Sequence, residues 1–329
     1  MYRWKAYITV FLVAWIVLLT RFGYTRTVAE HWPIAVVMVL GSLVAGSTPM
    51  GGGTVAFPIL ALGFGQPVAS ARNFALIVQA LGMTSALLFM IGRGTKLPVW
   101  LLMGSTAGAA IGFVVGIFCI EPFLDGNLVK LLFSCIWMSF GLLTLTKNRE
   151  ICGLHGKGPG DSPRAAPIGL AAGLIGGSIA GIIGVGVEMA IYTAMVLVYR
   201  ADLKIAIPTA VAAAALASLE GAALHVFYLR DIELGTFYDW LAAGPIVIFG
   251  APAGAFLVTI VPRIRVLYAV SALCLLQFVC TLNRTAHRAA DWWFVLFALL
   301  AAGTIQTALY SAGKRAGSMS ATAASFAPQ

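Results

Sequence analysis

The sequence predicts an all-α polytopic membrane protein of two inverted repeats, each a broken or re-entrant helix followed by three transmembrane helices, with an extra helix at either end. Three observations predict it. Of the 329 residues, 60% are hydrophobic and 10% charged, and the mean hydropathy is +0.94, a balance foreign to water-soluble domains. Apolar runs long enough to span a bilayer occur as two similar series, each opened by a longer apolar stretch broken at its centre by glycine. Lys and Arg fall in short loops between the runs, where they act as topology signals. The formal charge of +9 is therefore no nucleic-acid footprint, and the partner implied is the lipid bilayer.

The first segment, residues 1–31, carries Arg3 and Lys5 before an apolar run from Ala6 to Thr20. No small-x-small cleavage site follows closely, so the run reads as an uncleaved extra helix. Residues 32–147 form the first repeat. Its broken stretch runs from Pro33 to Gly65, centred on Gly46-Ser47-Thr48-Pro49-Met50-Gly51-Gly52-Gly53. Proline lacks a backbone donor and each glycine costs about 1 kcal/mol of helix propensity, so the stretch divides into two half-helices joined by irregular backbone. In hydrocarbon such backbone survives only when buried in protein or lining a wet cavity, which makes this centre the leading site. Spanning runs follow at Ala69–Ile91, Pro98–Phe118 and Leu128–Thr146.

Residues 148–166 form a linker rich in glycine and proline, expected to be flexible and cytoplasmic. The second repeat, 167–283, opens with Ile168–Tyr199, broken near Gly177, Gly181, Gly184 and Gly186, and continues with runs at Ile205–Leu229, Trp240–Val261 and Val266–Leu282. Residues 284–329 hold a final run, Trp292–Tyr310, and a small polar tail from Lys314 to Gln329. Gly104, Gly108, Gly112 and Gly116, and likewise Gly250 and Gly254, recur every four residues and read as packing faces for close helix approach.

The basic residues choose between crossing and re-entry of the broken stretches. If both cross, Lys and Arg divide ten against eleven. If both re-enter, the amino-terminal side collects fourteen and the other keeps seven: Arg21, Arg26, Arg72, Lys130, Arg230, Arg284 and Arg288. The positive-inside rule favours re-entry, with both termini cytoplasmic. Each repeat then crosses an odd number of times, the halves are inverted, and the two tips meet near the midplane. Half-helices starting near Thr54 and Val187 aim their unpaired N–H groups inward, which suits an anion.

The pattern G-x-x-x-x-G-x-x-x-x-G-G-G-x-x-x-x-P, from Gly41 through Gly46, Gly51, Gly52 and Gly53 to Pro58, has a degenerate copy in Gly177, Gly181, Gly184 and Gly186. These residues resemble the sulfite exporter TauE/SafE family, over roughly Pro33 to Leu282. The resemblance implies a carrier in the bacterial inner membrane for sulfite, sulfoacetate, a related sulfonate or another small organic anion. The second copy departs from the pattern: it has no G-G-G, and Glu188 stands near the place held by Thr54 or Val55.

The substrate-binding candidates are Ser47, Thr48, Gly51, Gly52, Gly53, Asn73, Gly184, Gly186 and Thr209. The glycines let a ligand touch backbone, and the polar side chains offer donors to an oxyanion. Ionisable groups at membrane depth are functional candidates by default, which singles out Glu188, Glu220 and His225. Glu188 and Glu220 are the proton-coupling candidates. Glu188 either takes up a proton or caps its half-helix, and the sequence leaves both open. His225 reads as a buried partner of backbone or of Gln79. Arg72, at the start of the helix after the first hairpin, either attracts an anion or snorkels to the surface, and snorkelling is the expectation.

The expected function is a secondary transporter exporting a small anion, with an anion channel on the same scaffold as the alternative. No H-E-x-x-H, G-x-S-x-G or phosphate loop is present, so no enzyme is expected. The five cysteines show no C-x-x-C spacing, and Cys152 with His155 lacks a second ligand pair, so neither metal nor cofactor is implied. A homodimer is compatible with the sequence.

Overall fold

The structure, a computed structural model, describes residues 1–325, with Arg263, Ala312 and residues 315–325 described by backbone alone. The last four positions of the expected polar tail, 326–329, lie outside the described residues. Fourteen helices follow one another without a strand among the described residues. They are α1 Tyr2–Phe22, α2 Thr25–Glu30, α3 Trp32–Ser47, α4 Gly53–Pro58, α5 Val68–Gly92, α6 Val99–Val114 and α7 Gly126–Thr146. Then come α8 Asn148–Cys152, α9 Ala166–Ile183, α10 Val187–Thr193, α11 Leu203–Ala223, α12 Leu234–Ile260, α13 Arg263–Thr285 and α14 Ala289–Ser325. Helices α4, α6, α10 and α11 each widen at the end into a π turn, at Ile59–Gly63, Val115–Ile120, Ala194–Val198 and Leu224–Leu229.

Nine helical segments among the described residues are long and apolar enough to cross a membrane, and large apolar side chains such as Val10, Phe118, Phe227 and Phe297 face outward. An all-α polytopic membrane protein is the fold. Four elements differ from the sequence expectation, the first being α2, a short helix at Thr25–Glu30 outside the expected runs. Helix α12 begins at Leu234, six residues before the expected run, because Thr236 and Asp239 are buried rather than solvated. The linker is built rather than flexible: α8 lies within it, and Gly156 pairs with Ala201, its carbonyl accepting from the Asp202 amide at 2.8 Å. Helix α14 carries on through the apolar run into the expected polar tail.

Each glycine-broken stretch turns back on itself. A Cβ built on Gly41 would stand 3.7 Å from Val55 Cβ, and one on Gly52 would stand 3.4 Å from Ala45 Cβ, so α3 and α4 run antiparallel from their tip. In the second stretch Gly176 faces the backbone of Gly186 and Val187. The outer ends of the first stretch also meet: His31 Nδ1 lies 2.6 Å from Asp239 Oδ1, and Gln66 Nε2 donates to Asp239 Oδ2 at 2.9 Å. One carboxylate thus holds the chain where it enters and where it leaves, which a stretch crossing the bundle could not allow. Helix α9 is long enough to cross, but its chain reverses at Gly184, in the left-handed region at φ +83°.

Glycine ladders carry the closest contacts. Gly104, Gly108 and Gly112 of α6 and Gly116 of its π turn lie against Ala166, Leu170, Leu174 and Ser178 of α9, while Gly169, Gly173 and Gly177 answer against Leu101, Ser105 and Ala109. The register rises together on both helices, so they run parallel at backbone contact, the packing reading of these glycines. Helix α3 meets α12 in the same way, with Gly46 on Ala251 and Ala255, Gly250 on Ser42, and Gly254 on Leu43. The first half-helix of each hairpin thus packs on the second long helix of the other series. Helices α1 and α14 lie outside this arrangement. Of α1 only Ile8 is buried, and its Trp4 and Trp15 donate to Ser85 Oγ at 3.0 Å and to the Leu241 carbonyl at 2.8 Å.

Two measurements check this architecture. Single cysteines placed at Arg26 and at Gln66 are expected to react with an impermeant maleimide from the same side of the membrane; labelling from opposite sides would show that the first stretch crosses. Gly108→Leu places a branched side chain on the Leu170 carbonyl and is expected to destabilise the fold by about 3 kcal/mol or more in a thermal unfolding assay. Gly303→Ala, at a helical position with nothing within 4 Å, is expected to raise stability by up to about 1 kcal/mol in the same thermal assay.

Candidate functional site

The two tips meet beside the middle of α5. Gln79, twelfth of the 25 residues of α5, donates from Nε2 to the Gly184 carbonyl at 3.1 Å. A Cβ on Gly53 would fall on Val185 and 2.9 Å from both Ala75 Cβ and Gln79 Nε2, so only glycine lets the tips touch here. Gly51 adopts φ +71°, and a Cβ there would strike Glu188 Oε1 and come 2.6 Å from Gln79 Oε1. Gly51, Gly53, Gly184, Gln79 and Glu188 thus form one cluster. Gly186 is beside it, its amide donating to Glu188 Oε2 at 3.4 Å.

The cluster holds two buried oxygens without hydrogen-bond partners, Gln79 Oε1 and Glu188 Oε1. The Gln79 amide cannot be turned over to relieve this, because the Gly184 carbonyl needs Nε2 as donor. Both oxygens border Gly51, and both require a donor. Beside Gly52 lies a void of about 10 Å³, lined in part by Ser42, Ala45, Gln79 and Gly82, room for about one water. Any oxyanion needs the tips to separate.

The hydroxyl candidates are largely engaged with their own helices. Ser47 Oγ donates to the Leu43 carbonyl and Thr48 Oγ1 to the Val44 carbonyl, each at 2.7 Å, and Thr209 Oγ1 donates to the Ile205 carbonyl at 2.7 Å. Such back-bonding is the usual use of hydroxyls in membrane helices. Thr48 Oγ1 also accepts from the Met50 amide at 3.3 Å, which shapes the first tip. Thr54, the second residue of α4 as Glu188 is of α10, donates to the Met50 carbonyl and accepts from Trp137 Nε1 at 3.0 Å. Trp137 stacks on Phe133, which contacts Phe57, so α7 clamps α4, the second half-helix of the first hairpin. Glu220 is half-buried on α11, and its buried Oε2 has no partner; its neighbour Gly221 packs on Leu76 and Phe113. A cavity of about 710 Å³ between α1, α5, α11 and α12 is lined by Leu219 and Ala222 rather than by Glu220.

Two expectations are overturned nearby. Arg72 does not snorkel: its side chain is 4% exposed and paired with Glu121 Oε2 at 2.5 Å and Asp231 Oδ2 at 3.6 Å. Both carboxylates are within the guanidinium's reach, so staying inside costs less than leaving them unpaired. His225 pairs with neither backbone nor Gln79, but places Nδ1 at 2.9 Å and 3.0 Å from the two Asp231 oxygens. Asn73 belongs to this group as well, donating to the Asp231 carbonyl at 3.1 Å and accepting from Arg72 Nε at 3.2 Å. Sequence reasoning missed Gln79 as a bridge between the tips, although a carboxamide midway along an apolar run is itself a signal. Glu121 and Asp231 carried none, since acids in short loops read as solvated.

A family profile described as sulfite exporter TauE/SafE matches residues 34–280. That span includes both hairpins and six long helices and leaves out α1, α2 and α14. Comparison with curated proteins and with solved structures finds no match. The match covers most of the chain, and the chain belongs to the sulfite exporter TauE/SafE family of membrane transporters.

Proposed function

We propose that this TauE/SafE family member is a secondary transporter that exports a small sulfur-containing or organic anion, such as sulfite, sulfoacetate or a related sulfonate. The anion is held between the two hairpin tips, and Glu188 carries a coupled proton. The observation behind this reading is the meeting of Gly51–Gly53 with Gly184–Gly186 around Gln79 and Glu188, where two buried oxygens lack donors. A proton on Glu188 supplies one such donor to Gln79 Oε1 and removes the charge that would repel an anion. Backbone N–H groups at the half-helix starts then face the oxyanion. Neutral donors suit a carrier, because a fixed cation at the tips would hold the anion too tightly to release it.

The exchange of helix partners, α3 with α12 and α9 with α6, supports two inverted repeats moving against one another around the tips. The alternative, an anion channel on this scaffold, is less well supported, since the tips are in contact and leave room for one water. The end of the bundle that gathers Arg93, Lys204 and the linker is proposed to be cytoplasmic, with both termini, in a bacterial inner membrane.

Gly52 has helical backbone at φ −70° and space for one methyl group, so a β-branched side chain there tests the tip without unfolding it. Gly52→Val is expected to fold and insert but to weaken sulfite or sulfonate binding at least tenfold in a calorimetric titration, about 1.4 kcal/mol. Retained binding would place the site elsewhere. Glu188→Gln keeps the shape of the protonated carboxyl. Transport by this variant in proteoliposomes is expected to lose its pH dependence; an unchanged pH profile would return Glu188 to a capping role.

A further inference from the structure

Arg72 lies seven residues before Gln79 on α5, about 10 Å along the helix axis. Its backbone carbonyl sits 2.7 Å from where a Cβ on Gly184 would be, and its Nη1 donates to the Gly181 carbonyl at 3.3 Å. The residue therefore touches the second tip with its backbone and reaches toward the end of the bundle with its side chain. There it meets Glu121, in the short turn after α6, and Asp231, in the connection between α11 and α12. The carboxylates are 29% and 38% exposed while the guanidinium is 4% exposed. The cation is thus sealed behind two anions that reach the aqueous end.

This arrangement is unlike a pair built only for stability. Desolvating a guanidinium is costly, and replacing a buried ion cluster by packed apolar groups often leaves a fold as stable or more so. The pairing is also incomplete: Arg72 Nη2 stands 3.6 Å from Asp231 Oδ2, beyond good hydrogen-bond length. His225 is fully buried, its Nδ1 committed to Asp231 and its Nε2 without any partner. A planar guanidinium with donor capacity to spare, a carboxamide in Asn73 and an unpartnered imidazole nitrogen are the groups that recognise a small, partly protonated oxyanion.

We propose that Arg72, with Asn73 and His225, is a second station for the transported anion, between the hairpin tips and the end of the bundle bearing Glu121 and Asp231. The Glu121 and Asp231 carboxylates act as its internal stand-ins. They occupy the guanidinium while the path to this end is closed, and an anion arriving from the tips displaces them. Because Glu121 follows a helix of the first series and Asp231 one of the second, the same displacement unties the two halves at this end. This deepens the transport reading above, and it assigns a role in binding to a cation that the tips lack.

The test uses the full chain purified in detergent, with sodium sulfite as the probe. Glu121→Gln combined with Asp231→Asn removes the stand-ins and is expected to tighten sulfite binding about tenfold in a calorimetric titration. Adding Arg72→Gln is expected to abolish that gain, and Arg72→Lys to restore little of it, since an ammonium lacks the planar fork. The double variant is also expected to melt at a lower temperature than the wild type and to regain the difference in sulfite, a recovery that a merely structural salt bridge would not show. If the double variant proves too unstable to titrate, Glu121→Gln alone carries the test, with an expected gain of about threefold. Unchanged affinity, or a gain that survives Arg72→Gln, would overturn the station. Introducing Gly52→Val into the double variant separates the two readings. Binding that persists there and depends on Arg72 supports the station, and its loss overturns an independent one. If Gly52→Val alone binds as tightly as the wild type while the Arg72-dependent gain appears, the tip reading fails and the station stands. Absence of sulfite binding in every variant would overturn both.

Discussion

Backbone that leaves the helical ladder inside a bilayer must find its partners in protein, and the rest of this structure follows from how the two tips find theirs. The Gly184 carbonyl is met by Gln79, the Met50 amide by Thr48, and the Met50 carbonyl by Thr54, which Trp137 holds in place. Each partner stands on a long helix or within the tip itself, so the irregular segments are fixed by the most regular ones. The glycine ladders serve the same end. Letting α9 lie against α6 and α3 against α12 at backbone contact brings both hairpins deep enough for their tips to touch.

Charge is handled differently at the tips and at the ends. The tips hold one ionisable group, Glu188, beside neutral donors and acceptors. At one end, buried Arg72 and His225 and the partly exposed Glu121 and Asp231 form a charged cluster, while a few residues away Asp239 joins both ends of the first hairpin and Glu233 accepts from Ser70 at 2.8 Å. At the opposite end, Glu150 accepts from Arg200 at 2.8 Å and from Tyr310 at 2.5 Å. The Tyr310 hydroxyl and the Arg200 guanidinium hold the Glu150 carboxyl below the usual range for glutamate. Both ends are thus laced by side chains drawn from elements far apart in the chain. Where a transporter must open and close, such contacts can break and reform without disturbing the helices.

Much of the candidate site was legible before any coordinates. The run from Gly46 to Gly53 announced broken helix because proline and glycine act on local backbone, and Glu188 announced itself by being ionic in an apolar run. The re-entry of the first stretch followed from counting Lys and Arg, and the contacts of Asp239 with His31 and Gln66, which bring its two ends together, agree with it. What escaped were pairings. Arg72 read as a snorkelling residue because it stands near the start of a helix, whereas its partner Glu121 lies 49 positions away. His225 had no nearby acid on its own helix face, and its partner Asp231 lies just beyond, where the chain turns after the π turn.

The sequence by itself determined the membrane class, the order of the long helices, the two breaks and the packing role of the glycine ladders. Each of these depends on composition or on the conformational preferences of residues close together in the chain. Only the tertiary structure decided that Gln79 bridges the tips, that Arg72 is buried behind two carboxylates, and that the linker is anchored at Ala201. Those depend on which distant side chains desolvation forces together: a buried polar group takes whatever partner the packing of apolar helices places within reach, and no local pattern names that partner.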